Sequence, residues 1–155
     1  MRRLLVFVLA VATSVVSVAS ADEQLTKQQI IDRSAPICRD LLDAIAPHIE
    51  KADDARAKED WDRFIREARK AIDIARPYGE KLRDLRPDTG ARDYGRFLDQ
   101  AREALYSLSR ALDALEAGHA DLALRRQETA QEHFRRAKDA AKSYGLHRPC
   151  IKVVS

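Results

Sequence analysis

From Thr26 to Tyr144, apolar residues recur every three or four positions with charged residues set between them. That spacing lines them along one side of a 3.6-residue helix, and it constrains the fold more than anything else in the chain. Charged residues make up 34% of the sequence and are interleaved rather than blocked, as solvated helix faces require. Only five glycines and five prolines interrupt 155 residues. Alanine is abundant and β-branched residues are sparse beyond residue 21, which favours helix over strand.

The first helix is predicted to start near Thr26. Its hydroxyl can accept a bond from the backbone three residues on and Gln29 can return it, a capping box with Leu25 and Ile30 as its apolar staple. Ile30 or Ile31, Ser34, Cys38, Leu41 or Leu42, Ile45 and Ile49 continue the stripe. Pro36 and Pro47 fall inside it and each removes a backbone donor, so kinks or a restart at Ser34 are expected. A second helix is predicted from about Ala57 to Leu85, with Trp61, Phe64, Ile65, Ala68, Ile72, Ala75, Leu82 and Leu85 facing inward and a bend at Pro77 and Gly79.

Arg86-Pro87-Asp88-Thr89-Gly90 is the clearest loop signal. A third helix then runs from about Arg92 to Ala117, with Tyr94, Phe97, Leu98, Ala101, Leu105, Leu108, Leu112 and Leu115 inward and Gly118 as its left-handed terminator. A fourth starts near His119 or Ala120 and reaches Tyr144. It buries Ala123, Gln127 or Ala130, Phe134, Ala137 and Ala141, and Gly145 stops it. Residues 146–155 read as an irregular tail. The expected fold is all-α, an antiparallel four-helix bundle with kinked helices, in which alanines allow close approach and Trp61, Phe64, Phe97 and Phe134 fill the wider layers. A long two-helix coiled coil is the competing arrangement, interrupted by Pro77, the 86–90 loop and Gly118.

Ahead of the helices stands a leader. Met1-Arg2-Arg3 is positive, Leu4 to Val18 is about 15 residues of mostly apolar chain, and Ala19-Ser20-Ala21 offers small residues at the peptidase positions. This is the pattern of a secretory signal peptide cut after Ala21, and the run is shorter than the ~20 residues that span a bilayer. Residues 22–155 are then one helical-bundle domain. Losing the leader with its two arginines changes 28 basic residues against 25 acidic to 26 against 25. A nearly neutral chain gives no reason to expect a nucleic-acid partner, because that affinity rests on neutralising phosphates.

Two cysteines follow the leader, Cys38 and Cys150. In an up-down-up-down bundle the end of the fourth helix returns beside the start of the first. The tail can then bring Cys150 to Cys38 within the ~5.5–6 Å Cα separation that a disulfide prefers, and export makes oxidation plausible. A buried free Cys38 with a reactive Cys150, or pairing between molecules through Cys150, is the alternative.

Catalytic and ligand signatures are scarce. His48, His119, His133 and His147 could bind metal, but only Glu116-x-x-His119 has di-metal bundle spacing, and Gly118 falls inside it. The five glycines are scattered, which excludes a phosphate-binding loop, and no Gly-x-Ser-x-Gly elbow is present. Asp53-Asp54 and Glu59-Asp60 are read as caps at a helix start. Residues 125–155 carry eight bases, Arg125, Arg126, Arg135, Arg136, Lys138, Lys142, Arg148 and Lys152, against three acids, Glu128, Glu132 and Asp139. Residues 22–60 carry ten acids against six bases. Packing of the first helix against the fourth would cancel part of this. Otherwise Arg125, Arg126, Arg135, Arg136, Lys138 and Lys142 form a candidate contact for an anionic surface such as a phospholipid or a wall polymer.

Three segments carry a resemblance: Leu25-Thr26-Lys27 leading to Pro36-Ile37-Cys38, the Ala117–Ala123 turn, and Tyr144-Gly145-Leu146 followed by Cys150. Together the chain resembles small exported helical proteins of actinobacteria that open on Leu-Thr-Lys with an Ile-Cys in the first helix and end in Leu-Gly-Leu-x-x-Cys. Tyr144 replaces the usual leucine, and the last cysteine comes one residue later. The resemblance implies a secreted or surface-attached bundle with paired cysteines. Leu25-Thr26-x-x-Gln29 is also similar to an element of periplasmic stress chaperones of the CpxP and Spy kind. The function expected is therefore non-enzymatic contact with an envelope or extracellular protein, outside the cytoplasm and without a cofactor. The alternatives are a small-ligand or metal-binding bundle with a pocket near Pro36, Pro47 and Pro77, or an envelope chaperone.

Overall fold

The computed structural model of the protein describes residues 24–87 and 91–154. The predicted leader, residues 1–21, and the Asp88-Thr89-Gly90 part of the predicted loop lie outside the described residues. Among the described residues the fold is all-α, a bundle of four long helices: α1 Lys27–Ala57, α2 Trp61–Arg83, α3 Arg92–Glu116 and α4 Ala120–Tyr144, followed by a short α5, Arg148–Val153. The tail predicted to be irregular thus contains a helix. Pro149 falls in its first turn, where a missing N–H costs nothing and φ is already set for helix.

Thr26 caps α1 as expected. Its hydroxyl accepts from Gln29 N–H at 3.3 Å, and the Gln29 side chain accepts from Thr26 N–H at 2.8 Å. The helix does not restart at Ser34; it continues through Pro36 and Pro47, and α2 continues through Pro77. All three prolines are exposed. The carbonyls they leave without a donor, those of Asp32, Asp43 and Asp73, belong to exposed residues too, so water can satisfy them while the apolar side stays unbroken. Ser34, fully buried in α1, is satisfied locally because its hydroxyl donates to the Ile31 carbonyl at 3.0 Å.

α1 runs further than the sequence suggests, ending only where Glu59 takes a left-handed conformation at φ 57°. Glu59 N–H donates to the Arg56 carbonyl at 3.1 Å and Asp60 N–H to that of Ala55 at 2.9 Å, the paired bonds of a Schellman turn. Asp60 then caps α2 by accepting from Arg63 N–H. The link between α3 and α4 has the same design, with Gly118 N–H on the Leu115 carbonyl at 3.0 Å and His119 N–H on that of Ala114 at 2.8 Å. Gly145 ends α4 likewise, bonded to Lys142 while Leu146 bonds to Ala141. Asp53 and Asp54 therefore lie at the C-terminal end of α1, not at a helix start. Arg56, Lys58 and Arg63 pair with them there and offset the unfavourable dipole.

These short links make two antiparallel hairpins, α1–α2 and α3–α4, which meet where α2 packs on α3. The α3–α4 seam is made of small residues seven apart. Ala104 and Ala111 on α3 and Ala123, Ala130 and Ala137 on α4 are all buried, and with no side chain beyond Cβ the two helices approach closely. Ile65, Ile72 and Leu112 form the α2–α3 core, with Phe64, Leu105 and Leu108 against it. At the end where α1 starts and α4 finishes, Ile30, Ile31, Cys38, Leu82, Tyr94, Phe97, Ala141 and Tyr144 share a second apolar cluster. Tyr94 donates to the Leu82 carbonyl at 2.6 Å, tying α3 to the last turn of α2.

The fourth side differs from the expectation. Among the described residues no Cα of α1 lies within 8 Å of any Cα of α4. The helix ends meet only through side chains, with Lys27 Nζ 5.2 Å from the centre of the Tyr144 ring, and α5 packs against both helices. Two residues expected in the core are half exposed: Ile49 on α1, and Trp61, which occupies the first position of α2 edge-on to Phe64 at 6.0 Å.

Glu59→Gly is expected to stabilise the protein by about 0.5–1 kcal/mol, since glycine adopts positive φ without a Cβ clash but loses more backbone entropy. Gly118→Ala and Gly145→Ala should each destabilise by about 1 kcal/mol for the converse reason. Urea midpoints of the three variants against the parent chain check both signs.

Candidate functional site

Three polar features stand out against the apolar framework. The first is the cystine. Cys38 and Cys150 are joined, with Cα atoms 5.0 Å apart and 112 positions between them in sequence. Cys38 comes from the buried stripe of α1 and Cys150 from the face of α5 turned inward, and both are fully buried. Closing so long a loop restricts the unfolded chain, a contribution of about 4–5 kcal/mol in the entropy model.

The second has no counterpart in the sequence reading, which weighed the histidines only as metal ligands. His48 lies on the α1 stripe, seven residues after Leu41 and seven before Ala55, and so turns into the α1–α2 seam. There its Nδ1–H donates to Glu67 Oε2 at 2.8 Å, while Lys70 Nζ reaches Glu67 Oε1 at 2.8 Å. Glu67 is buried, and with each oxygen engaged its carboxyl is held down to about 2, chiefly by Lys70 and then by His48. The seven-residue register of His48 was the signal that could have placed it on the buried side of α1. A parallel bond crosses the other hairpin, where His133 Nδ1 donates to Gln100 Oε1 at 2.9 Å. Glu116 ends α3 and His119 precedes α4, so helical spacing does not unite them. Among the described residues no group of three His, Cys, Asp or Glu is placed to hold a metal ion.

The third is the outer face of α3–α4. Here an open depression of about 520 Å³ is lined by Arg96, Gln100, Arg135, Arg136, Asp139 and Ser143. Ser143 donates to Asp93 at 2.6 Å across it. Arg135 grips Glu132 with two nitrogens at 2.8 Å each, and Arg136 Nε bonds the same carboxylate at 2.8 Å. The two guanidiniums, Arg135 first, hold the Glu132 carboxyl down to about 2. Arg126 donates to the Arg110 carbonyl at 2.7 Å. Of the six basic residues considered for an anionic surface, Arg125, Arg126, Lys138 and Lys142 have no ion-pair partner among the described residues. No ion pair joins α1 to α4 among the described residues. The acids that offset the basic residues of α4 lie on α4 itself, because the two helices do not pack directly. A second depression, about 530 Å³, surrounds the α3–α4 link at Gly118, His119, Leu122 and Arg125.

A carboxyl held below its ordinary value of 4.5 stabilises the fold above that pH, and the contribution is lost as pH falls towards 2. Glu67→Gln should therefore lower stability at neutral pH and flatten the decline between pH 4.5 and 2 relative to the parent. Denaturant midpoints taken across that range test it, and an unchanged slope would sink the assignment.

Among the described residues no helix is long and apolar enough to cross a membrane, and the cystine is compatible with a compartment outside the cytoplasm. The chain matches no protein-family model, and no curated protein or solved structure is significantly similar to it.

Proposed function

We propose that the chain is exported and acts outside the cytoplasm as a non-enzymatic helical bundle, by contact with an envelope or extracellular protein. The observation that carries this reading is the fully buried Cys38–Cys150 cystine, which joins the first long helix to the last short one. A cystine closed inside the core persists most readily in a compartment that favours oxidation. The leader pattern ahead of residue 22 points the same way, as does the resemblance to small exported helical proteins of actinobacteria.

Contact is favoured over chemistry by what the surface offers. Trp61, Ile49, Tyr106 and Leu124 are large apolar side chains left 45–57% exposed, and tryptophan and tyrosine are the residue types enriched where proteins meet. Arg125, Lys138 and Lys142 can add a weak attraction to anionic surfaces. That term falls with salt, because exposed charges are screened over about 8 Å at physiological ionic strength.

Two measurements test the proposal. Intact mass from the native host should correspond to residues 22–155 with both thiols oxidised, recovered outside the cytoplasm. A reduced cytoplasmic product with its leader would overturn the location. Photo-crosslinking residues placed in turn at Ile49, Trp61, Tyr106 and Leu124 in living cells should yield one discrete adduct from neighbouring positions. Adducts no stronger than those from exposed control sites on α2 would overturn the contact role.

A further inference from the structure

The six-residue α5 fills the side of the bundle where α1 and α4 stay apart, and the cystine is what fastens it there. We infer that α5 is a redox-released clasp, which closes the α1–α4 side while Cys38 and Cys150 are joined and leaves when a dithiol reduces them.

Apart from sulfur, α5 is held by the side chains around it. Arg148 and Lys152 are exposed, Ile151 and Val153 are partly buried against the apolar cluster, and His147 Nε2 lies 3.7 Å from Asp32 Oδ1 on α1. Val154, just past the helix, and Leu146, before it, supply the deeply buried aliphatic contacts. A helix this short does not persist by itself, since isolated helices below ~12–15 residues are marginal in water. The segment joins α4 through Gly145, whose positive φ turns the chain and leaves it a natural pivot. The four long helices, in contrast, keep seams that do not involve α5: the alanine seam, the Ile65–Ile72–Leu112 core and the His48–Glu67 pair. Release should therefore be local. It would uncover the apolar end formed by Ile31, Cys38, Ala141 and Tyr144.

Access to the bond follows the same geometry. Exchange begins with a thiolate attacking one sulfur along the S–S direction, and both cysteines are fully buried. The attacking thiolate reaches them only when the residues around Cys150 fray while the bond itself is still intact. A dithiol then transfers two electrons and two protons, the S–S bond becomes two thiols, and the reagent leaves as its own cyclic disulfide.

Two measurements on the full chain test the clasp. Cystine reduction by dithiothreitol in native buffer should be at least about tenfold slower than in the urea-unfolded chain at the same reagent concentration, because only molecules frayed around Cys150 react. A native rate equal to that of the unfolded chain overturns gated access. Hydrogen exchange compared between oxidised and reduced protein should show residues 146–154 and 27–38 exchanging at least about tenfold faster, with α3 and the centre of α4 unchanged. Equal acceleration throughout all four long helices would make the bond a global staple instead, and unchanged exchange at 146–154 would show that α5 needs no fastening. The parent chain serves for both measurements, so neither depends on a cysteine variant folding.

Discussion

Four helices in a square need four seams, and this chain closes only three of them helix against helix. The hairpins supply α1–α2 and α3–α4, and the α2–α3 core joins them. The side between α1 and α4 receives a six-residue helix and a cystine instead. Much else follows from that constraint. The cystine is buried because it takes the place of packed side chains. Tyr144 and Lys27 meet at the rim because the helix ends converge while their axes do not.

The two hairpins share their turns but differ in their seams. Both links use the same pair of backbone bonds, yet one places glycine at the left-handed position and the other places Glu59. The α3–α4 seam relies on shape, since alanine loses no side-chain entropy and admits a close backbone approach. The α1–α2 seam accepts polar groups, and burying Glu67 is tolerable only because His48 and Lys70 meet both of its oxygens. Removing one partner from such a set leaves a desolvated charge behind, so the pair specifies how α1 lies on α2 more than it adds stability.

What could be read in the sequence was what short-range physics decides. The capping box at Thr26, the terminators Gly118 and Gly145, and the stripes from Ile30 to Leu41 and Ala123 to Ala141 depend on residues three to seven apart, and they appear where the pattern puts them. The end of α1 was hidden because Glu59 adopts a conformation that its residue type does not announce. The prolines read as breaks because each removes a backbone donor, although their place off the apolar stripes puts that loss on the side that meets water. His48 and Glu67 are 19 residues apart on different helices, and no local signal joins them. The pairing of the cysteines was legible, but α5 was not. Its helical form comes from Pro149 and from docking, and a ten-residue tail has too little pattern to show either.

The surface of α4 limits what its basic residues can recognise. Asp121, Glu128, Glu132 and Asp139 fall at helical spacings of seven, four and seven, which sets them in one stripe along the exposed face. Arg125 and Arg136 flank that stripe on one side, and Lys138 and Lys142 lie on the other. Arg135 closes onto Glu132 and Arg136 onto the same carboxylate. An approaching polyanion therefore meets cations divided by a row of carboxylates, and it must break existing ion pairs to engage the two strongest donors. Attraction of that kind is shallow and screened by salt. Specific recognition needs a desolvated anchor, and among the described residues the large apolar side chains left exposed are Trp61, Ile49, Tyr106 and Leu124. Charge on α4 can orient an encounter, while the apolar side chains would have to hold it.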